Sequence, residues 1–300
     1  MALIAGPTAS GKTALALSLA ARHDVTIINA DSAQVYANLP ILSAQPSAVE
    51  LASTPHRLFG YLDGREACSA ARWAKDARSE IERAWAQNRI PMLVGGTGLY
   101  MLTLFDGISP IPEIDPAIRG VVRALETADA RLALESEDPI SAAALAPKDD
   151  NRIKRALEVI RTTGKSIIDW RKIREGGIGD TIDLRPLLLL PPRDWLYERC
   201  NMRFEHMINA GAIEEVAALR LADLPVDAPV LRAIGVPELT ALQDGTLSRA
   251  EAIQLGQIAT RQYAKRQYTW FRNQSPPSWP RFEAAYNDSE FTKIEILLQF

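Results

Sequence analysis

Gly6-Pro7-Thr8-Ala9-Ser10-Gly11-Lys12-Thr13 fits the pattern Gly-x-x-x-x-Gly-Lys-Ser/Thr, and its flanks have the required character. Before it lies the apolar run Leu3 to Gly6, and after it Thr13 to Ala21 is built from strong helix formers. A strand, a phosphate loop and a helix are expected. In such a loop successive backbone N–H groups converge on an anion, and the helix N-terminus adds about half a positive charge. Lys12 adds a full charge, and the Thr13 hydroxyl can ligate magnesium. Residues 6 to 13 are therefore the candidate diphosphate cradle. A glycine-rich turn without a ligand is the plain alternative, and the strand-to-helix context disfavours it. The loop alone does not name a reaction, because a diphosphate can be a donor's tail, a leaving group or part of ATP.

Outward from the loop, a second apolar run, Val25 to Ala30, ends at Asp31, and a third, Pro91 to Val94, ends in Gly95-Gly96-Thr97-Gly98. Between them, Ser69 to Asn88 has helical periodicity, with Ala70, Trp73, Ala77, Ile81 and Ala84 on one stripe. Strands alternating with helices imply a parallel sheet whose ligands sit beyond the strands' carboxyl ends. From about Ile108 the character changes, with Pro110, Pro112 and Pro116 followed by helical, charge-rich sequence up to Gly176-Gly177-Ile178-Gly179. Leu187 to Leu190 reads as a buried strand returning to the sheet, stopped by Pro191-Pro192, and long helices are predicted near 193–222 and 248–273. The Pro-rich stretch from Pro276 is assigned no element. The expected fold class is α/β: a P-loop NTPase-like parallel sheet core with C-terminal helices over 1–107 and 186–300, and an inserted, mainly helical domain over 108–185.

At 300 residues and 47% hydrophobic, the chain can bury a full core. No apolar run approaches the roughly 20 residues that span a bilayer, and the N-terminus opens without a charged leader, so a cytoplasmic protein without a membrane partner is expected. Cys68 and Cys200 lie far apart with no CxxC or His cluster, which points to reduced, packed thiols. The net charge of -3 argues against a surface coated in positive charge, so any RNA site must be local.

Two stretches supply local charge. Asn151 to Arg174 carries Arg152, Lys154, Arg155, Arg161, Lys165, Arg171, Lys172 and Arg174 after an acidic arm. Arg261, Lys265, Tyr268 and Arg272 share one helix face near Trp270 and Phe271. Each reads either as a basic surface for phosphates or as a solvated face with ordinary i,i+4 pairs over buried aromatics. Asp31, at the end of a buried strand beside the phosphate loop, can accept a proton from a nucleophile, with Ser32 and Gln34 free to bond the acceptor. Position alone leaves open the alternative that Asp31 caps a helix or orders magnesium indirectly.

With these segments goes Val94-Gly95-Gly96-Thr97-Gly98-Leu99-Tyr100. The combination closely resembles the bacterial tRNA dimethylallyltransferase family. The likeness continues through Thr54-Pro55-His56-Arg57-Leu58, Asn151-Arg152-Ile153-Lys154-Arg155-Ala156-Leu157-Glu158-Val159, Thr163-Gly164-Lys165 and Pro192-Arg193-Asp194. It then takes in Arg203-Phe204, Ala233-Ile234-Gly235, Thr260-Arg261-Gln262-Tyr263-Ala264-Lys265-Arg266-Gln267 and Thr269-Trp270-Phe271-Arg272, so that it spans about residues 3 to 273 in order. The resemblance implies transfer of a dimethylallyl group from dimethylallyl diphosphate to N6 of the adenosine immediately 3′ of the anticodon (position 37), with Mg2+ as cofactor and the tRNA anticodon stem-loop as partner of a monomeric enzyme.

By the same resemblance Asp31 looks like the general base, Thr97 like the residue contacting diphosphate and acceptor, and Arg203 like a further diphosphate ligand. Segments 31–34 (Asp31, Ser32, Ala33, Gln34), 151–155 (Asn151, Arg152, Ile153, Lys154, Arg155), 231–236 and 260–267 (with Arg261, Lys265 and Arg266) look like tRNA contacts, as does Arg119. His56 is a possible site ligand by resemblance and a structural residue on local grounds. The family's aromatic after the Ala-Ile-Gly segment is here Val236-Pro237, and the insertion is short between Ala128 and Asp138. A small-molecule P-loop kinase or an adenylate isopentenyltransferase would explain residues 6–13 and Asp31, and a noncatalytic P-loop RNA-binding module is a third reading. A kinase has no evident use for the Gly-rich loop together with both basic segments, the isopentenyltransferase has less reason for the RNA-facing ones, and the binding module would bind without turnover.

Overall fold

A computed structural model describes residues 1–298. Six strands are assigned among them: β1 (Ala2–Ala5), β2 (Val25–Asn29), β3 (His56–Arg57), β4 (Ile90–Gly95), β5 (Arg185–Leu189) and β6 (Arg281–Phe282). They form one sheet in the order β3-β2-β4-β1-β5-β6, and every pair is parallel. Ala2 to Ala5 are fully buried, which is why β1 carries no polar alternation: a parallel strand covered on both faces is apolar throughout.

The chain leaves β1 for β2 on one side and reaches β5 on the other, so the crevice opens at the carboxyl ends of β1 and β4. In register Ala5 faces both Gly95 and Leu188, and Asn29 faces Val94. The phosphate loop, Asp31 and the Gly95–Gly98 loop therefore leave the sheet along one rim. A Cβ on Gly95 would lie 2.1 Å from the Ala30 backbone, so a larger residue would push the ends of β2 and β4 apart.

The chain separates into two compact units, Met1–Leu104 with Thr181–Phe300, and Phe105–Asp180. In the first, the expected helical stripe forms Ala70–Ala86, N-capped by Ser69, with Trp73, Ala77, Ile81 and Ala84 buried. The predicted helix near 193–222 is instead two, Arg193–Asn209 and Ala212–Leu221, because Gly211 takes a left-handed φ of 106° between them. Arg249–Gln274 is one long helix opened by a Ser248–Glu251 capping box. The stretch from Pro276 supplies β6 and the helix Phe291–Leu297, whose Phe291 and Ile294 join the cluster around Leu15 and Leu19.

The second unit packs short helices, among them Pro116–Ala124, Thr127–Glu137 and Asp150–Thr163, around its own core of Val122, Leu134, Ile153, Leu157 and Val159. No helix among the described residues is long and apolar enough to cross a membrane.

Candidate active site

The phosphate loop turns from β1 into the helix Lys12–Ala20, with Gly11 at its N-cap. Lys12 Nζ donates to the Pro7 carbonyl at 2.6 Å, and the Ser10 hydroxyl is buried with no hydrogen-bond partner among the described residues. Burial pushes the Lys12 ammonium down to about 8, against the attraction of Asp31 and with the help of Arg203. Burial likewise lowers Arg203, again opposed by Asp31. Two half-buried, partly desolvated cations thus share one nearby carboxylate, an excess of positive charge that an anion would relieve. They line a cavity of about 680 Å³ together with Thr13, Asp31, Tyr263 and Arg266.

Asp31 is fixed by the residue two before it. Asn29, fully buried, accepts from the Asp31 N–H at 2.8 Å and donates to the carbonyls of Asp31 and Leu58 at 3.0 Å each, while Trp73 Nε1 donates to the Asn29 carbonyl at 2.9 Å. The Ala33 N–H donates to Asp31 Oδ1 at 3.0 Å, so the carboxylate closes a turn rather than capping a helix. Asp31 lines the cavity, and its Oδ2 has no hydrogen bond among the described residues.

Thr97 joins this loop to the one after β4. The Ser32 N–H donates to Thr97 Oγ1, and the Thr97 N–H donates to the Ala30 carbonyl at 3.1 Å. Tyr263 reaches both Thr97 and Ser32, and burial, then the Asp31 charge, keeps its phenol protonated far above the ordinary range. Gln34 is less free than its sequence position implies: its amide donates to the carbonyls of Ser43 and Ala44 at 3.0 and 2.7 Å and so braces the turn that walls the cavity. His56 lines the same cavity, with Nδ1 2.9 Å from the Thr54 carbonyl and its basicity lowered by burial.

Of the basic segments, Arg266 lines the cavity, Lys265 is exposed, and Arg261 bonds Asn201. Within 260–267, Ala264 and Gln267 are buried. Tyr268 also turns inward, its hydroxyl donating to the Leu190 carbonyl at 3.3 Å. In the inserted unit Arg119 and Asn151 are exposed, and Arg152 is 70% exposed while pairing with Asp149.

Within segment 151–155 the Ile153 side chain turns inward. It is fully buried in the unit's core, as the helical period demands of a residue three before Ala156 and four before Leu157. Lys154 pairs with Asp150 at 3.0 Å. Arg155 and the unforeseen Arg123 both pair with Glu158, which is 1% exposed. Arg161, Lys172 and Arg174 are paired as well, so much of this basic run is neutralised within its own unit.

For magnesium, no group of three His, Cys, Asp or Glu among the described residues is placed to hold an ion. Exposed Thr13 and the free oxygen of Asp31 do fit an ion that keeps waters and takes most of its remaining ligands from substrate phosphates. Cys200 stays a packed thiol, pushed up to about 11 by burial against nearby cations.

A glycine-rich loop with two partly desolvated cations thus shares one cavity with Asp31 at the rim of a parallel α/β sheet. The model of the IPP transferase family matches residues 34–274, and the chain belongs to that family of tRNA-modifying prenyltransferases. It is 58% identical over 282 residues, covering 94% of this chain and 92% of the relative, to the tRNA dimethylallyltransferase of Sphingopyxis alaskensis. It is 46% identical over 98% of its length to that of Zymomonas mobilis, 93% of which is covered. Among solved structures, the tRNA isopentenylpyrophosphate transferase of Bacillus halodurans aligns with a TM-score of 0.69 at 31% identity, over 99% of this chain and 96% of that one. A eukaryotic dimethylallyltransferase acting on tRNA aligns with a TM-score of 0.78 at 27% identity, over 90% and 69% of the two chains.

Proposed function

We propose that this chain transfers a dimethylallyl group from dimethylallyl diphosphate to N6 of adenosine 37 in the tRNA anticodon loop and releases diphosphate. The observation that carries the reading is the meeting of Lys12, Arg203 and Asp31 on one cavity.

An exocyclic adenine amine is a weak nucleophile, so the allylic carbon must be made strongly electrophilic. The loop amides, Lys12 and Arg203 bind the diphosphate and stabilise the charge that grows on its oxygens as the C–O bond breaks, an effect of about 3 kcal/mol or more per well-placed donor. N6 forms its bond to that carbon, and its proton passes to Asp31 Oδ2. Thr97, Ser32 and Tyr263 orient the base and the acceptor. Magnesium, held by Thr13, would supply further neutralisation of the diphosphate when bound.

The adenosine leaves the anticodon stack to reach this cavity, at a cost of a few kcal/mol that single-stranded loops keep small. Lys265, Arg266, Arg119, Asn151 and Arg152 are the exposed groups that bind tRNA phosphates in this reading, and each site is complete in one chain, working as a monomer in the cytoplasm. Purified protein incubated with dimethylallyl diphosphate, magnesium and unmodified tRNA tests the reading, with mass spectrometry expected to find prenylated adenosine at position 37. Prenylation of free AMP in place of tRNA, or ATP-dependent phosphorylation, would overturn it.

A further inference from the structure

Gln267 occupies a place that the chemistry above does not use. It lies on the long helix Arg249–Gln274 and is 6% exposed, and its side-chain amide is spent on two loops. Its Oε1 accepts the Thr8 N–H of the phosphate loop at 2.8 Å. Its Nε2 donates to the Gly96 carbonyl at 2.9 Å, immediately before Thr97. The contact is tight, because a Cβ on Gly96 would fall 2.2 Å from Nε2 and 3.1 Å from the Gly6 carbonyl.

Two consequences follow. The Thr8 N–H, which would otherwise point free in an anion-binding loop, is committed to protein, so that part of the loop is held in shape before any ligand arrives. The cradle after β1 and the hydroxyl-bearing loop after β4 are also spaced by one planar amide rather than by a flexible contact. The same helix presents Tyr263, one turn earlier, and the adjacent Arg266 to the cavity.

We propose that Gln267 is a positioning residue that sets the separation between the leaving-group cradle and the Thr97–Ser32–Asp31 group, so that its loss slows the transfer step more than it weakens either substrate. This rests on the transfer reaction proposed above. Misplacement on the order of 1 Å can cost about 100-fold in rate when reacting atoms must be held close.

The test compares Gln267→Met, of similar volume without either hydrogen bond, with Gln267→Glu, which keeps the acceptor for Thr8 but offers Gly96 no donor when ionised. With both substrates saturating, single-turnover prenylation is expected to fall about 10- to 100-fold in Gln267→Met and less in Gln267→Glu. Dissociation constants for dimethylallyl diphosphate and tRNA should stay within about threefold. Gly96→Ala should slow the parent but cost much less in a Gln267→Ala background, where the amide it strikes is gone.

Single-turnover rates within threefold of the parent in both Gln267→Met and Gln267→Glu overturn the proposal. So does a loss matched by the unfolded fraction seen by circular dichroism at the assay temperature, or full additivity of Gly96→Ala with Gln267→Ala. A parent protein that prenylates no tRNA would instead sink the transfer reaction itself.

Discussion

The Ser32 backbone N–H donates to Thr97 Oγ1 at 2.9 Å, and the Thr97 hydroxyl donates in turn to Ser32 Oγ at 3.2 Å. The loop that carries the carboxylate and the loop that carries the threonine are thus locked together by a single side chain. Thr97→Val keeps the shape and leaves the part-buried Ser32 N–H without its acceptor, a cost of about 1 kcal/mol. Turnover is expected to fall in Thr97→Val and to be largely restored in Thr97→Ser. Full activity in Thr97→Val with a loss in Thr97→Ser would show that the methyl, not the hydroxyl, is what matters.

Asp31→Asn retains size and an acceptor for the Ala33 N–H but cannot take a proton. Substrate binding is expected to be nearly normal, with kcat reduced on the order of 10²- to 10⁴-fold. Single-turnover measurement on bound tRNA checks this, and a near-parental rate would exclude Asp31 as the base. A larger rise in KM for tRNA would point to recognition of the flipped adenine.

Lys12→Ala and Thr13→Ala are expected to weaken binding of dimethylallyl diphosphate, since each removes part of the anion or metal cage. The Lys12 ammonium, lowered to about 8 in the free protein, gives this binding a pH dependence. The protonated form binds the anion, so affinity is level below that pH and declines as pH rises through it. Lys12→Arg should abolish the decline, because a guanidinium stays charged throughout. Calorimetric titrations between pH 6.5 and 9.5 would reveal it, and a parental affinity that is flat over that range would contradict the assignment.

Arg152→Ala and Lys265→Ala should raise the apparent constant for tRNA and reduce its salt slope by about one each, while donor affinity stays unchanged. Lys154, already held by Asp150 at 3.0 Å and with a side chain only 12% exposed, should contribute less. Unchanged slopes in both of the first two variants would make them solvated charges and nothing more.

Ile153→Val removes one methylene from the inserted unit's core and is expected to lower its stability by about 0.5–1.5 kcal/mol. The salt slope for tRNA should not move. A changed slope with unchanged melting would return Ile153 to the RNA surface.

Lys12, Asp31 and Thr97 were legible because each sits within a few residues of the end of an apolar run, and a parallel sheet brings such ends together whatever the rest of the chain does. Gln267 was read only as part of an RNA-facing segment. Its role depends on a helix folding back across the rim from far along the chain, which no local pattern encodes. Ile153 had a signal that the motif obscured: the inward period of Asp150–Thr163 runs through it. Gly211, between two alanines in a helical stretch, likewise marked a break. The two-residue strand β6 is too short for any periodicity to show.

Strand β1 sits between β4 and β5, and β5 begins at Arg185, beyond the whole inserted unit. During synthesis the phosphate loop therefore emerges first and waits for its neighbour. At about 5–20 residues per second, the stretch from Gly95 to Arg185 keeps one edge of β1 bare for on the order of ten seconds. Helix Arg249–Gln274, which ties the rim together, arrives later still. Nascent chains stalled before Arg185 should therefore expose an unpaired apolar edge and bind chaperones, while the inserted unit, with a core of its own, should already resist protease.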